Sequence, residues 1–254
     1  MNRVIDLNCD MGEGFPYDRY IMPYITSVNI ACGYHAGDTD TIKKTIELAL
    51  KHKVAIGAHP SFPDRENFGR TGMHLEDAEL EQVLSEQLYI FESVSHTFGV
   101  PLHHIKLHGA LYNMSAMNEA FSIKILSNLF QYKQKTIIYG LSGSIFNRVA
   151  QRMGFTVAHE VFADRTYQPD GTLTPRSQEN ALIADEEHAA RQVLQMILEK
   201  RVHTTGGSFA DVQADTVCIH GDGRHAAQFA QRLNDLCNDN FITLQAPQIK
   251  KPHG

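Results

Sequence analysis

Residues 28–59 read VNIACGYHAGDTDTIKKTIELALKHKVAIGAH, and this stretch decides the fold. It opens on a short apolar run (28–32), crosses a Gly-containing polar turn, and enters a helical pattern over 39–52. A second apolar run (54–58) follows and again ends in polar residues. Strand, helix, strand in this order builds a parallel sheet with the helix on its outside. The same alternation extends both ways. Apolar runs at 4–7, 104–107, 136–139, 155–158 and 216–219 read as strands. Helical patterns occupy 75–98, 119–132, 145–153, 186–199 and 224–237; in the second of these Phe121, Ile125, Leu126 and Leu129 share one face. About seven strand units follow one another with no linker or change of composition. The expected fold is α/β: a single-domain, distorted (β/α) barrel of about seven parallel strands, TIM-like, over residues 1–254. An open doubly wound sheet fits less well. No G-x-G-x-x-G follows the first strand, and polar residues follow most strands rather than those at one switch point. Residues 246–254 read as a frayed basic tail.

Composition narrows the function. Hydrophobic residues make up 43% and charged residues 20%, which suits a packed globular chain. A formal charge of −6 gives no reason to expect nucleic acid or an anionic membrane as partner. No apolar stretch approaches the roughly 20 residues of a membrane span, and Asp6 and Asp10 interrupt any leader-like apolar segment. The four cysteines (Cys9, Cys32, Cys218, Cys237) form no C-x-x-C pair and suit a reducing cytoplasm. Those near strand ends read as small buried hydrophobes rather than nucleophiles.

The fourteen histidines are informative through their placement. The first strand runs into Asp6, Asn8, Asp10 and Glu13, and the second into His35 and Asp38. The third runs into His59 and Asp64, the fourth into Lys106, His108 and Asn113. The sixth is followed by His159, Glu160, Asp164 and Arg165, the seventh by His220 and Asp222. In parallel α/β folds the C-terminal strand ends carry the chemistry. His35, His59, His108 and His220 at four such ends point to one shared site, although each singly also fits a hydrogen-bonded structural role. Lys106 in a buried strand demands a partner or a function. Asp38 and Asp222 suit helix N-caps as well as catalysis, and Glu13 and His159 suit surface positions as well as site positions. Glycines beside these groups permit tight turns and close backbone approach.

With these segments in place, the chain resembles the LamB/YcsF family, whose characterised bacterial members are the A subunits of 5-oxoprolinases. The resemblance rests on IDLNCDMGEGF (5–15), NIACGYHAGD (29–38), GAHPSFPD (57–64), KLHGALYN (106–113), EVFADRTYQPDGTLTPR (160–176) and CIHGD (218–222), six blocks in order along nearly the whole chain. Two positions depart from the family's habit: Leu107 stands where Pro is common, and Thr71 follows Gly69-Arg70 where a second Arg is common.

The resemblance implies ATP-dependent hydrolytic opening of 5-oxoproline to L-glutamate, with Mg-ATP as cosubstrate, no prosthetic group, and subunits B and C as partners. A homo-oligomer is also compatible with the sequence. A lactam is a resonance-stabilised amide, and phosphorylation of its oxygen would make the carbon electrophilic. The expected catalytic groups are Asp6, Asp10, His59, Lys106 and His108, with Asn8, His35, Asp164, Arg165 and His220 binding or orienting substrate. No P-loop is present to hold ATP. The turn 140–144 offers N–H groups at a helix start, but a plain loop is the preferred reading. Two rivals stand beside this one. A metal-dependent hydrolase or deacetylase on a related barrel would use Asp6, His35, His59 and His108 as ligands. A protein that only binds the lactam would leave chemistry to its partners.

Overall fold

The computed structural model describes residues 3–249 except 222 and 224. Asp222 and Arg224 therefore lie outside the described residues. The strands are β1 (Arg3–Met11), β2 (Ser27–Ala31), β3 (Ala55–His59), β4 (His104–Lys106), β5 (Ile137–Leu141), β6 (Thr156–Phe162), β7 (Arg201–His203), β8 (Phe209–Asp211), β9 (Thr216–Ile219) and β10 (Ile242–Leu244). The helices are α1 (Asp18–Ile21), α2 (Thr39–His52), α3 (Asp77–Thr97), α4 (Gly109–Met117), α5 (Glu119–Asn128), α6 (Ile145–Arg152), α7 (Glu186–Glu199) and α8 (Ala226–Asp239). Strands β1 to β6 pair in order and all in parallel; β9 then pairs with both β6 and β1. This closes a seven-stranded parallel barrel, as expected, and no edge remains in the ring.

The strand alternation places the chemistry. On β1, Ile5, Leu7, Cys9 and Met11 belong to the apolar cluster shared with the helices, while Asp6, Asn8 and Asp10 take the opposite face. Hydrogen bonds between strands that are not neighbours show where that face points. Asn8 on β1 reaches Glu160 on β6 at 3.0 Å, and Lys106 on β4 reaches Asp10 on β1 at 2.9 Å. Such bonds can only cross the barrel interior. The interior is thus largely polar and the outer layer apolar, with Ile56, Ile105, Ile138, Val161 and Val217 packed toward the helices.

Several elements differ from the sequence expectation. Strand β1 runs to Met11 rather than to residue 7, and β6 to Phe162 rather than to 158. Polar residues at every second position look like strand ends but face a hydrogen-bonded core. Helix α4 begins directly at Gly109, and the β7–β8 hairpin is an added antiparallel element. Of the tail expected over 246–254, residues 250–254 lie outside the described residues, and 246–249 are packed rather than frayed: Ile249 packs on Ile137, Tyr139 and Ala158, and the Pro247 carbonyl accepts from His103 Nε2 at 2.9 Å. This segment, with β10 paired to the first residues of β1, covers the end of the barrel away from the site.

Gly57 on β3 shows how tightly the interior is filled. A Cβ there would lie 2.2 Å from His104 Nε2. We expect Gly57→Ala to lower stability in urea unfolding by about 2–3 kcal/mol through overpacking; an unchanged midpoint would mean the His104 ring lies elsewhere.

Candidate active site

The C-terminal ends of the strands open onto a cavity of 440 Å³ whose lining includes Asp10, Glu13, His59, Lys106, His108, Arg165, Arg176 and His220. Lys106 sits at its floor. Its ammonium contacts Asp10 Oδ1 at 2.9 Å, Glu160 Oε1 at 2.8 Å, Cys218 Sγ at 3.1 Å and Asn8 Oδ1 at 3.3 Å. Burial alone would push the Lys106 amine down, but Asp10, Cys218 and Glu160 hold it well above its ordinary value. For Asp10 burial acts upward, and His59 and Lys106 overcome it to hold the carboxyl well below the usual range. The two groups form a charged pair, and the lattice beneath keeps it in register. Asn8 Nδ2 donates to Glu160 and to Thr216 at 2.7 Å, Asn29 donates to Asn8 and Asp10, and the Tyr112 hydroxyl donates to Glu160.

Four neighbouring strands supply a second group on one side of the mouth. Glu13 follows β1, His35 follows β2, His59 ends β3 and His108 caps α4 after β4. Glu13 Oε1 lies 3.0 Å from His35 Nε2, 3.5 Å from His108 Nδ1 and 3.9 Å from His59 Nε2. The His35 and His108 rings stack at 3.8 Å. Burial, then His59, pushes the His35 ring down to about 2, and burial likewise holds His108 well below its ordinary value. Burial and the neighbouring Asp10 push Glu13 up to about 7. Gly109 makes this packing possible. Its φ of +56° and missing Cβ let it lie against the Gly69 carbonyl, which a Cβ would meet at 2.3 Å. The loop so held presents the Phe68 carbonyl to His108 Nε2 at 2.8 Å.

Across the cavity, Asp164 accepts from His220 Nδ1 at 2.7 Å, and His220 Nε2 accepts from Arg176 Nη2 at 2.8 Å. This chain of bonds orients the Arg176 guanidinium at the pocket rim. Arg165 also lines the pocket, but it donates to the carbonyls of Ala181 and Thr174 and so ties down the loop that carries Arg176.

Among the residues expected from sequence, Asp10, His59, Lys106, His108, Arg165 and His220 meet at the cavity. His35 and Asp164 stand directly behind it, and Asn8 lies beneath Lys106. Asp6 does not reach the site: it lies deeper on β1, and its carboxylate accepts from the hydroxyls of Thr26, Ser27 and Thr216. With its oxygens so engaged it is not a ligand beside the three histidines; the carboxylate among them is Glu13. Glu160, named among the polar residues of the sixth strand but not as a site group, pairs with Lys106, and Tyr112 and Arg176 join the site from outside the sequence expectation. For Glu160 a signal exists, since 158, 160 and 162 alternate on one strand face. For Tyr112 and Arg176 there is none, because only the fold brings them in. Asp38 is the N-cap of α2, accepting from Thr41 N at 2.8 Å. The turn 140–144 is a plain helix start: Ser144 caps α6, and Ser142 Oγ accepts from Gln213 N. The four cysteines are buried free thiols, and burial raises each.

The profile of the LamB/YcsF family matches residues 5–251. The chain is 45% identical to the 5-oxoprolinase A subunit of Brevibacillus brevis over 249 residues, covering 96% of this chain and 98% of that one. It superposes on a lactam utilization protein from Thermus thermophilus with a TM-score of 0.89 and 34% identity, over 96% of this chain and all of that one. The catalytic domain of a peptidoglycan N-acetylglucosamine deacetylase from Eubacterium rectale shares the fold alone, with a TM-score of 0.53 and 13% identity over 99% of this chain and 91% of that one. The chain belongs to the LamB/YcsF family.

Proposed function

We propose that this chain is the A subunit of a 5-oxoprolinase, opening the lactam ring of 5-oxo-L-proline to L-glutamate with ATP and with partner subunits B and C. The observation that carries the reading is the buried Lys106–Asp10 pair at the floor of a cavity rimmed by Arg176 and His220. The substrate is a small anion with one unreactive amide, and the cavity offers a cation for its charge and a carboxylate at the reacting centre. The relatives named as A subunits of 5-oxoprolinase support the same reading. The buried free thiols support a reducing cytoplasm as its place of work.

In this reading ATP first phosphorylates the lactam oxygen. The nucleotide is held with the partner subunits in this reading; the sequence carries no P-loop motif, and the turn 140–144 is engaged in capping α6. The cavity exceeds the needs of a five-membered lactam and leaves room for the phosphorylated form. Arg176, aimed by His220 and Asp164, anchors the anion. Water then adds to the activated carbon, and Asp10 takes its proton. The low basicity of Asp10 suffices because phosphorylation has already raised the electrophilicity of that carbon. The Lys106 ammonium offsets the developing negative charge. The carbon–nitrogen bond breaks, the nitrogen takes the proton back from Asp10, and the phosphoryl group departs to water as phosphate. The products are glutamate, ADP and phosphate.

The decisive assay follows glutamate and ADP from 5-oxoproline with this chain alone, with the partner subunits alone, and with all together in Mg-ATP. Coupled formation only in the full mixture is expected; no glutamate from an associated, folded mixture would sink the reading. Within that mixture, Lys106→Met and Asp10→Asn should each lower turnover by at least about 100-fold, and unchanged turnover would remove the pair from the mechanism.

A stability measurement checks the pair independently. Because the native Asp10 carboxyl is held below its unfolded value, its contribution is complete above about pH 4 and is lost as pH falls through the native value. Asp10→Asn should therefore destabilise the protein at pH 7 by on the order of 3 kcal/mol. In urea unfolding the gap from the wild type should close as the pH is lowered below 4. A gap independent of pH would show that Asp10 contributes shape rather than charge.

A further inference from the structure

The hydrogen-bond directions around His59 and His108 carry an inference beyond lactam hydrolysis. His59 Nδ1 lies 2.8 Å from the Lys106 carbonyl oxygen, and His108 Nε2 lies 2.8 Å from the Phe68 carbonyl oxygen. A carbonyl oxygen only accepts, so each of these nitrogens carries the ring's hydrogen. In the neutral rings the remaining nitrogens, His59 Nε2 and His108 Nδ1, carry lone pairs, and they face each other at 2.9 Å. Two lone pairs held that close require something positive between or beside them. Glu13 Oε1 stands 3.5 Å from His108 Nδ1, 3.9 Å from His59 Nε2 and 3.0 Å from His35 Nε2. All four donor atoms lie within 4.8 Å of one another. Ligands about 2 Å from a common ion stand up to about 4 Å apart, so a contraction of under about 1 Å completes the sphere.

We propose that Glu13, His35, His59 and His108 bind one divalent first-row transition ion of zinc-like ligand preference. Three imidazoles and one carboxylate suit zinc, iron, cobalt or nickel, and do not suit magnesium or calcium, which take oxygen ligands. The two backbone carbonyls act as the outer partners that fix which ring nitrogen is free, the arrangement found around metal-binding histidines. Among the described residues His35 Nδ1 is buried with no hydrogen-bond partner, and Glu13 is that ring's one hydrogen-bond contact. Glu13, His59 and His108 line the cavity, so the ion keeps an open side toward a bound molecule. Water held there would lie beside Asp10, whose Oδ2 is 3.4 Å from His59 Nε2. The site is independent of the lactam reading, since nothing in its geometry specifies the substrate.

Protein stripped by a chelator and dialysed is titrated with Zn²⁺ against a chromogenic competitor, and the ion retained after gel filtration is counted by mass spectrometry. The wild type should hold one equivalent with a Kd below about 1 µM. Glu13→Gln and His35→Gln, each checked for folding by circular dichroism, should weaken it at least 100-fold. His96→Gln, at an exposed histidine of α3, should bind as the wild type does. Zn²⁺ should also raise the melting temperature of the wild type and not that of Glu13→Gln, the variant at the cavity rim. No retained equivalent in the wild type would overturn the proposal and leave a shared proton between His59 and His108. An equivalent held equally by all three variants would overturn it in favour of surface histidines. Both readouts use the chain alone, so failure of lactam hydrolysis and absence of the ion are separate results.

Discussion

The structure depends on one buried ammonium. Lys106 lies on a three-residue strand in the middle of a closed barrel, where an unpaired charge would be prohibitively expensive. Its surroundings are arranged to prevent that. Asp10 on β1 and Glu160 on β6 both reach the ammonium, Asn8 lies between them, Asn29 and Tyr112 donate to the remaining acceptor positions, and Thr216 accepts from Asn8 Nδ2. Such a network is a poor source of net stability, because desolvation offsets most of the attraction. Its effect is geometric: the charged atoms at the pocket floor hold one position set by five strands, β1, β2, β4, β6 and β9.

That polar interior has a consequence for the rest of the fold. A barrel filled with branched apolar side chains draws stability from both faces of its strands. Here the apolar contribution falls mainly on the outer layer between strands and helices, in the cluster running from Ile5 through Leu233. The deeper end is closed by other means. Asp6 is ringed by three hydroxyls, His104 stacks on Tyr139 at 4.1 Å and bonds Asn29 at 2.7 Å, and residues 246–249 cover what remains. The interior thus grades from a neutralised charge at the floor of the cavity to a small apolar plug.

Much of this is legible in the amino-acid sequence, for definable reasons. The bounds of α2 and α7 can be read because both have an Asp N-cap and a sustained apolar period. The barrel follows from seven strand units with no break between them. Strand ends mislead wherever the inward face is polar: period-two alternation of Asp6, Asn8 and Asp10 looks like a strand giving way to a loop. The site is legible as a set of residues at strand ends, while its depth is not. Asp6 and Asp10 have the same residue type and the same strand, and only their distance along the barrel axis separates a structural carboxylate from one facing the cavity. Arg176 and Tyr112 enter from a loop and a helix whose path no local pattern announces.

The mouth of the barrel is divided by topology. The arc from β1 to β4 presents Glu13, His35, His59 and His108, with the ring hydrogens of His59 and His108 committed to backbone carbonyls. The arc from β6 to β9 presents Arg165, Arg176 and His220, braced by Asp164. One arc gathers three imidazoles and a carboxylate, the other carries the Arg176 guanidinium aimed by His220 and Asp164, and Lys106 with Asp10 stands where they meet. A molecule in the cavity therefore meets an anion-accepting wall on one side and an electron-rich wall on the other. The charged pair between the walls is held by the barrel strands and by neither wall. This polarity is fixed by strand order, so exchanging loops on either arc would change what is bound without moving the charged pair.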